Sequence, residues 1–508
     1  PALLVNQLGY LPNFAKVATL VSESATPLPW ELLSASGETV ANGQSEPLGD
    51  DAASGKRVHR VDFSSFTLPG EQYVLRVGEE RSHPFAIRAD VYKTLELDAL
   101  AYFYHNRSGI EITLPFAREA QWTRPAGHLS DRSVPTAPGS GASYRLDVSG
   151  GWYDAGDHGK YVVNGGIAVW TLLDLYERTA ALGDATAFAD GRMRIPEAGN
   201  KVPDLLDEAR VEVEWMLRMQ VPEGKPLAGM VHHKLHGKAW SELGTRPDED
   251  KMQRYLFPPS TAATLNLAAV AAQASRLFAP FDPAFSKKCL TAAERAWKAS
   301  LAHKNIYAPN TSTVGGGPYD DNDVRDEQYW AAAELLVTTG KPEYRQAVER
   351  SPLHGKVATT LGAGAGDQGQ HTAFTWQNVA APGAIALALA SDSKLADLQK
   401  GARASLVHAA DDFLALRAHE GYHVPFAAGA DGYPWGSNSF VLDNALVLGL
   451  AYDFTHDAKY ADGAASALDY VLGENALDQS YVTGYGARPL QHPHHRFFAH
   501  QVRSDRPE

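Results

Sequence analysis

Two carboxylates three residues apart, set among glycines and aromatic rings, make Gly150-Gly151-Trp152-Tyr153-Asp154-Ala155-Gly156-Asp157-His158-Gly159-Lys160-Tyr161 the densest chemistry in the chain. Glycines let the backbone approach a ligand closely, and Trp152, Tyr153 and Tyr161 can stack on the flat apolar face of a sugar ring. Neighbouring carboxylates such as Asp154 and Asp157 can share the binding and deprotonation of one water, which is the work of a general base. The same spacing also suits a calcium loop or a polar turn.

Other candidates lie farther along. Pro493-His494-His495-Arg496 is either a ligand-contacting loop or a basic surface turn. Tyr319, Trp376 and Trp435 sit in loops rather than on apolar stripes, which suits sugar stacking, with core or rim packing as the alternative. His232, with His233 beside it, either lines a cleft or hydrogen-bonds its own loop. Asp320, Asp321, Asn322, Asp323, Asp326 and Glu327 crowd oxygen donors at the start of a helix. Calcium takes about 6–8 oxygens, so a calcium site is expected there, with helix capping by Asp323 as the other reading. Cys289 is the only cysteine, so no intrachain disulfide is possible, and beside an apolar helix it reads as a small buried hydrophobe.

Two kinds of sequence must position these residues. Residues 1–88 carry short runs rich in β-branched and aromatic residues (2–5, 16–21, 57–63, 73–77), separated by turn signals at Gly9, Pro12, Gly37, Gly55 and Pro69-Gly70. That spacing predicts an antiparallel β-sandwich. Residues 89–508 are helical in texture. Leu205, Leu206, Ala209, Val213, Met216 and Leu217 share one helical stripe, and similar stripes recur near 90–105, 165–180, 260–277, 285–303, 324–338, 400–416, 439–455 and 458–472. Long loops rich in glycine and aromatics join them, so the helices hold the core and the loops hold the site. About ten helices without a short repeat fit a barrel of helix pairs better than a bundle.

The bulk numbers narrow the function. A chain of 508 residues, 44% hydrophobic and 21% charged, is folded and of two-domain size. No run approaches the about 20 apolar residues that span a bilayer. A net charge of −14 without a clustered basic run argues against nucleic acid and suits a neutral ligand. No phosphate-cradling glycine loop with its lysine is present.

The sequence resembles glycoside hydrolase family 9, in particular bacterial members with an N-terminal immunoglobulin-like domain. Val5-Asn6-Gln7-Leu8-Gly9-Tyr10 is similar to the opening of that domain, and Gly151-Trp152-Tyr153-Asp154-Ala155-Gly156-Asp157 to the family's base motif. Ser480-Tyr481-Val482-Thr483-Gly484-Tyr485-Gly486 followed by Pro493-His494-His495-Arg496 is similar to its second signature, and residues 204–220, 260–276, 326–340 and 435–452 also look familial. The resemblance implies an immunoglobulin-like β-sandwich followed by an all-α (α/α)6 barrel. It implies an endoglucanase that cuts β-1,4-glucans such as cellulose with inversion, secreted or periplasmic. Asp157 would be the base, Asp154 its partner in holding water, and His494 and Arg496 would contact sugar at the point of cleavage. It also implies calcium on Asp323, Asp326 and Glu327. Inverting hydrolases separate base and acid by about 6.5–9.5 Å to admit water, and a cationic Arg496 would help keep a nearby carboxylate ionised.

Two departures modify that expectation. Some relatives bind zinc through two cysteines and two histidines, whereas Ser108 and Gly127 stand at the cysteine positions here. His128 and His232 alone fall short of four ligands, so no zinc is expected. The family's general acid is a Glu beyond the His-Arg signature, yet the sequence ends at Glu508, twelve residues past Arg496. The acid-bearing segment is therefore expected on a separate polypeptide, a cleaved C-terminal fragment docked on this one. Rival readings are an exo-acting hydrolase of cello- or chito-oligosaccharides and a sugar-binding protein without turnover.

Overall fold

The computed structural model describes residues 2–309, 314–361, 370–427, 429 and 432–500. Ten strands form two facing sheets at the N-terminus. One has the order β1 (Leu3–Leu4), β3 (Val17–Val21), β7 (Lys56–Asp62), β6 (Glu46–Asp51). The other runs β2 (Gly9–Tyr10), β10 (Phe85–Ile87), β8 (Gly70–Val77), β4 (Pro29–Leu33), β5 (Thr39–Gln44), with β9 (Glu80–Arg81) on β8. All pairings are antiparallel except β2 with β10. Alternation builds the core between the sheets: Tyr73, Leu75 and Val77 of β8 point inward against Trp30, Leu32 and Phe85. This is the expected sandwich.

The helical part begins with α1 (Lys93–His105). Helices α2 (Val162–Ala181), α4 (Thr261–Phe278), α6 (Arg325–Thr339) and α8 (Ala380–Leu389) pack side by side as inner members of an (α/α)6 barrel, and α10 (Ser437–Thr455) continues the series. Outer partners are α3 (Asp204–Arg218), α5 (Pro283–Ala302), α7 (Pro342–Arg350), α9 (Ala396–His419) and α11 (Ala458–Val471). A short α12 (Arg496–His500) follows the His-Arg segment. Helix α4 shows how an inner member is written in sequence. Its Ala-rich run is buried on nearly every side, and those small side chains let α2, α5 and α6 approach it together.

The sequence stripes do not anticipate α7 and α8. Helix α8 reads AAPGAIALAL, and its Pro and Gly look like loop residues. Pro382 lies in the first turn, where a missing N–H costs nothing. A Cβ at Gly383 would press on the Trp330 backbone and the Tyr329 ring of α6, so the glycine marks close helix packing. Both features belong to tertiary contact.

The two domains share a polar seam. Asn6 donates to Asp469 Oδ1 (2.8 Å), Thr19 to Glu474 Oε1 (3.0 Å), and His83 Nε2 lies 3.0 Å from Asp478 Oδ2. The opening Val5–Tyr10 segment that characterises the sandwich thus also fastens it to α11 and the turn beyond.

Candidate active site

Residues 150–161 form a loop leading into α2, and its shape is imposed by the elements around it. The backbone N–H of Trp152 donates to Glu212 Oε2 (2.7 Å) and its indole N–H to Glu208 Oε1 (2.9 Å), both carboxylates lying on α3. Lys160, fully buried, donates to the carbonyls of Val148 (2.9 Å) and Gly150 (2.8 Å) and pairs with Asp131 (2.9 Å). Arg254 bonds Asp131 and the His158 carbonyl. Each end of the loop is therefore held by a buried charge with a partner, the arrangement in which buried charges are tolerated. The sequence reading missed Glu208, Glu212, Asp131 and Arg254. The acidic signal on α3 was present, but as i, i+4 positions on an amphipathic helix it reads as a solvated face.

Within this frame the carboxylates have separate partners. Asp157 Oδ2 accepts the Tyr161 hydroxyl (2.7 Å) and the Gly159 N–H (3.0 Å). Asp154 Oδ2 accepts the Tyr319 hydroxyl (2.7 Å), and its Oδ1 accepts from Asn164 (3.1 Å). The rings of Tyr161 and Tyr319 meet edge to face at 4.7 Å. Burial and the adjacent carboxylates push both phenols up, so they remain donors. Asp154 is raised to about 6, first by burial and then by the charge of Asp157. Two carboxylates with diverging environments suit shared handling of one water.

The loop borders a cavity of 1120 Å3 that reaches Ala155 and His494 and is walled by Tyr102, Trp435 and residues 192–195. Its floor is mostly apolar, with polar groups at few points, the usual make-up of a ligand cleft.

A family model described as glycosyl hydrolase family 9 matches residues 92–508, and one described as the cellulase N-terminal ig-like domain matches residues 1–82. The chain belongs to glycosyl hydrolase family 9. It is 49% identical to a cellulose 1,4-beta-cellobiosidase of Acetivibrio thermocellus, over 99% of this chain and 60% of the relative. It is 47% identical to endoglucanase C of Cellulomonas fimi, over 99% of this chain and 46% of the relative. The chain thus spans about half the length of these curated relatives. A solved Bacteroides ovatus GH9 structure superposes with a TM-score of 0.86 at 32% identity, covering 100% of this chain and 90% of that one.

In this family 9 chain the His-Arg segment crosses directly over the 150–161 loop. Gly156 has φ +111°, and a Cβ there would overlap the His494 carbonyl and crowd His495, so only glycine allows the crossing. His494 is exposed and borders the cavity. Arg496 differs from expectation. Its side chain is buried, donating to the carbonyls of Ser241 (2.7 Å) and Gly156 (3.3 Å) and lying over the Trp240 ring, so it braces the base loop rather than reaching a sugar or a carboxylate. His495, given no role by the sequence, points inward to Asn106 (3.2 Å).

The aromatic assignments divide. Trp435 is 90% exposed on the cavity wall, where an indole face is free to stack. Tyr319 is committed to Asp154 by its hydroxyl, and its ring is wedged between Tyr161 and Trp376, the latter edge to face at 5.1 Å. Its φ of 45° is a conformation bulky residues rarely adopt, held by His233 Nε2, which donates to the Pro318 (3.1 Å) and Tyr319 (3.0 Å) carbonyls. Tyr319 is therefore a positioning residue for Asp154. Trp376 is half-buried behind it. His232 is not on the cleft. It is 1% exposed, with Nε2 on the Tyr144 hydroxyl (2.7 Å) and Nδ1 on the Phe257 carbonyl (2.6 Å).

The metal expectations also shift. Asp323 turns outward to Arg325, and both its carboxylate oxygens are engaged there. The buried group is Asp321, Asp326 and Glu327. Burial, with mutual repulsion added, raises Asp321 to about 7, Asp326 to about 6 and Glu327 well above its usual range. Asp321 Oδ2 and Glu327 Oε2 lack hydrogen-bond partners, yet the oxygens of the three carboxylates do not converge into a cation-ligating cluster. Around the expected zinc position, His128 and His158 both face Asp250 Oδ2 (3.4 and 3.2 Å), and Ser241 donates to the same oxygen (2.6 Å). His232 lies elsewhere, against Tyr144. His128, His158 and Asp250 thus bring three potential metal-ligand atoms within 4.8 Å of one another, a set without a thiol.

Proposed function

We propose that the chain is the glucan-cleaving part of a cellulase, hydrolysing internal β-1,4 bonds with inversion. The observation that carries this reading is the carboxylate pair on a buttressed loop whose Ala155, with the crossing His494, borders the 1120 Å3 cavity. Asp157 has one oxygen held by Tyr161 and Gly159, which leaves Oδ1 for a water on the face of the sugar ring opposite the leaving group. Asp154, oriented by Tyr319 and Asn164, holds that water's second position. As the water attacks, its proton passes to Asp157 and the anomeric bond inverts. The leaving oxygen takes its proton from the Glu that the family supplies beyond the His-Arg segment. Glu508 and the rest of 501–508 lie outside the described residues.

Tyr102 and Trp435 would stack sugar rings along the cleft, and His494 would contact the sugar next to the cut. Because a polymeric glucan stays outside the cell, action beyond the cytoplasm is part of the proposal.

The cellobiosidase relative favours a second reading, release of cellobiose from chain ends. The test is hydrolysis of cellohexaose and a soluble cellulose derivative by the full-length gene product, followed by NMR of the first anomer formed and by viscosity. An α-anomer with rapid viscosity loss is expected. A β-anomer or no cleavage overturns the mechanism; α-anomer with cellobiose and slow viscosity loss selects the second reading.

A further inference from the structure

The cavity wall also carries charge that a neutral glucan does not require. In the segment Arg192-Met193-Arg194-Ile195 the side chains alternate: Met193 and Ile195 are 7% and 2% exposed in the core, while Arg192 and Arg194 are exposed on the cavity wall. The alternation is fixed rather than incidental. Asp204, fully buried at the start of α3, accepts the N–H groups of Gly191 (3.1 Å) and Met193 (2.6 Å), so one carboxylate pins the backbone on either side of Arg192. Asp190 likewise accepts from Gly199 (2.5 Å) and Lys201 (2.7 Å) and closes the loop behind them.

Nearby acids are already engaged. Asp190 and Asp204 are spent on backbone amides, Glu197 on Arg107, and Asp98 across the cavity on Arg118 and the Tyr485 hydroxyl. Among the described residues neither Arg192 nor Arg194 has a carboxylate partner or a side-chain hydrogen bond. In a chain of net charge −14, two uncompensated guanidinium groups on one cleft wall reverse the prevailing sign where a polymer would lie. Guanidinium groups match carboxylates by geometry as well as charge.

We propose that Arg192 and Arg194 form an anion-reading subsite, and that the substrate class this chain prefers is a β-1,4-glucan bearing carboxylate groups, of the uronic-acid type, rather than unsubstituted cellulose. The proposal rests on the reading of the cavity as a glucan cleft. An exposed charge-assisted hydrogen bond contributes about 1 kcal/mol, so each arginine should change affinity about fivefold.

The experiment is affinity electrophoresis and calorimetry of the whole chain with carboxymethyl cellulose and, in parallel, hydroxyethyl cellulose, at low and high salt. Wild type should bind the carboxylated polymer about 25-fold more tightly at low salt and lose that advantage at about 0.5 M salt, where screening shortens to a few ångströms. Arg192→Gln with Arg194→Gln should abolish the preference and leave hydroxyethyl cellulose binding unchanged. Equal wild-type affinity for both polymers, or a preference surviving in the double variant, overturns the proposal. So does an equal loss on both polymers, which would make the arginines ordinary sugar contacts. Binding of neither polymer overturns the glucan reading itself, and this proposal with it.

Discussion

The base loop and the seam between the domains each bury a pair of carboxyl groups, and they use them oppositely. At the seam, burial pushes Asp469 and Glu474 well above the carboxylate range, with Asp469 further raised by its neighbour's charge. Asn6, Thr19 and His423 surround them, each partner coming from the sandwich or from the loop after α9. His423 Nδ1 and Glu474 Oε1 are 3.0 Å apart, a salt-bridge distance, yet burial also lowers the imidazole to about 3, so the pair is neutral and shares a hydrogen bond. At the carboxylate loop Asp154 is raised only to about 6, and Asp157 has hydrogen bonds on Oδ2 alone, in a loop whose Ala155 borders a cavity large enough for a sugar chain. A strongly perturbed acid is thus weak evidence of catalysis. Access to a ligand, with one lone-pair site left open, is what separates a working carboxylate from one that fastens two domains.

The largest test of this contrast is Asp157→Ala in the full-length protein, which should lower turnover by about 10^3-fold or more while cello-oligosaccharide binding persists. Kinetics and calorimetry check both halves; near-normal turnover would remove Asp157 from the role of base.

Asp154→Asn should lower turnover about 10^2-fold, and the wild-type rate should fall on the acid side of about pH 6 as the pair takes up a proton. The stability effect has the opposite sign. A carboxyl raised in the folded state binds its proton more tightly there than when unfolded, so its stabilisation is present in acid and lost as pH rises from about 4 through 6. Above that range Asp154→Asn should gain about 1–2 kcal/mol, read as a higher melting temperature at pH 8 with no gain at pH 4.

Gly156→Ala should cost about 1–3 kcal/mol, because φ +111° is unfavourable with a Cβ and the His494 carbonyl occupies its place. Turnover should fall with it, since Arg496 reaches the base loop through the Gly156 carbonyl (backbone 2.9 Å). A variant with wild-type melting and rate would show the crossing to be loose.

The smallest effect on rate is expected at the seam. Asp469→Asn combined with Glu474→Gln should change turnover less than about twofold. It should leave stability at about pH 3 unaltered, where both groups are protonated folded and unfolded, and raise it at pH 9, where the wild-type pair is forced toward ionisation. A large loss of turnover would erase the distinction between the two regions.

How much of this was legible beforehand follows the range of each signal. Asp154 and Asp157 were readable because three-residue spacing, glycines and aromatics are local. His494 and Trp435 were also readable, since each lies in a loop that borders the cavity. Arg496 and His232 were misplaced because their type suggests polar contact with a ligand, and only packing showed that backbone carbonyls and Tyr144 had claimed them. Asp323 was chosen over Asp321 on local resemblance. The ion pair with Arg325, two residues along, turned it outward.

By itself the sequence determined the order of domains, since period-two runs can bury one sheet face and period-3.6 stripes one helix face, and both patterns are carried by neighbours in the chain. It also determined which loop holds the carboxylates. Only the tertiary structure decided which oxygens remain free, which histidines are sealed, that Asp204 turns Arg192 and Arg194 to the cleft, and that α8 is a helix despite Pro382 and Gly383. Those outcomes depend on partners up to hundreds of residues away, as Asn6 and Asp469 are, and desolvation and hydrogen-bond competition act through space rather than along the chain.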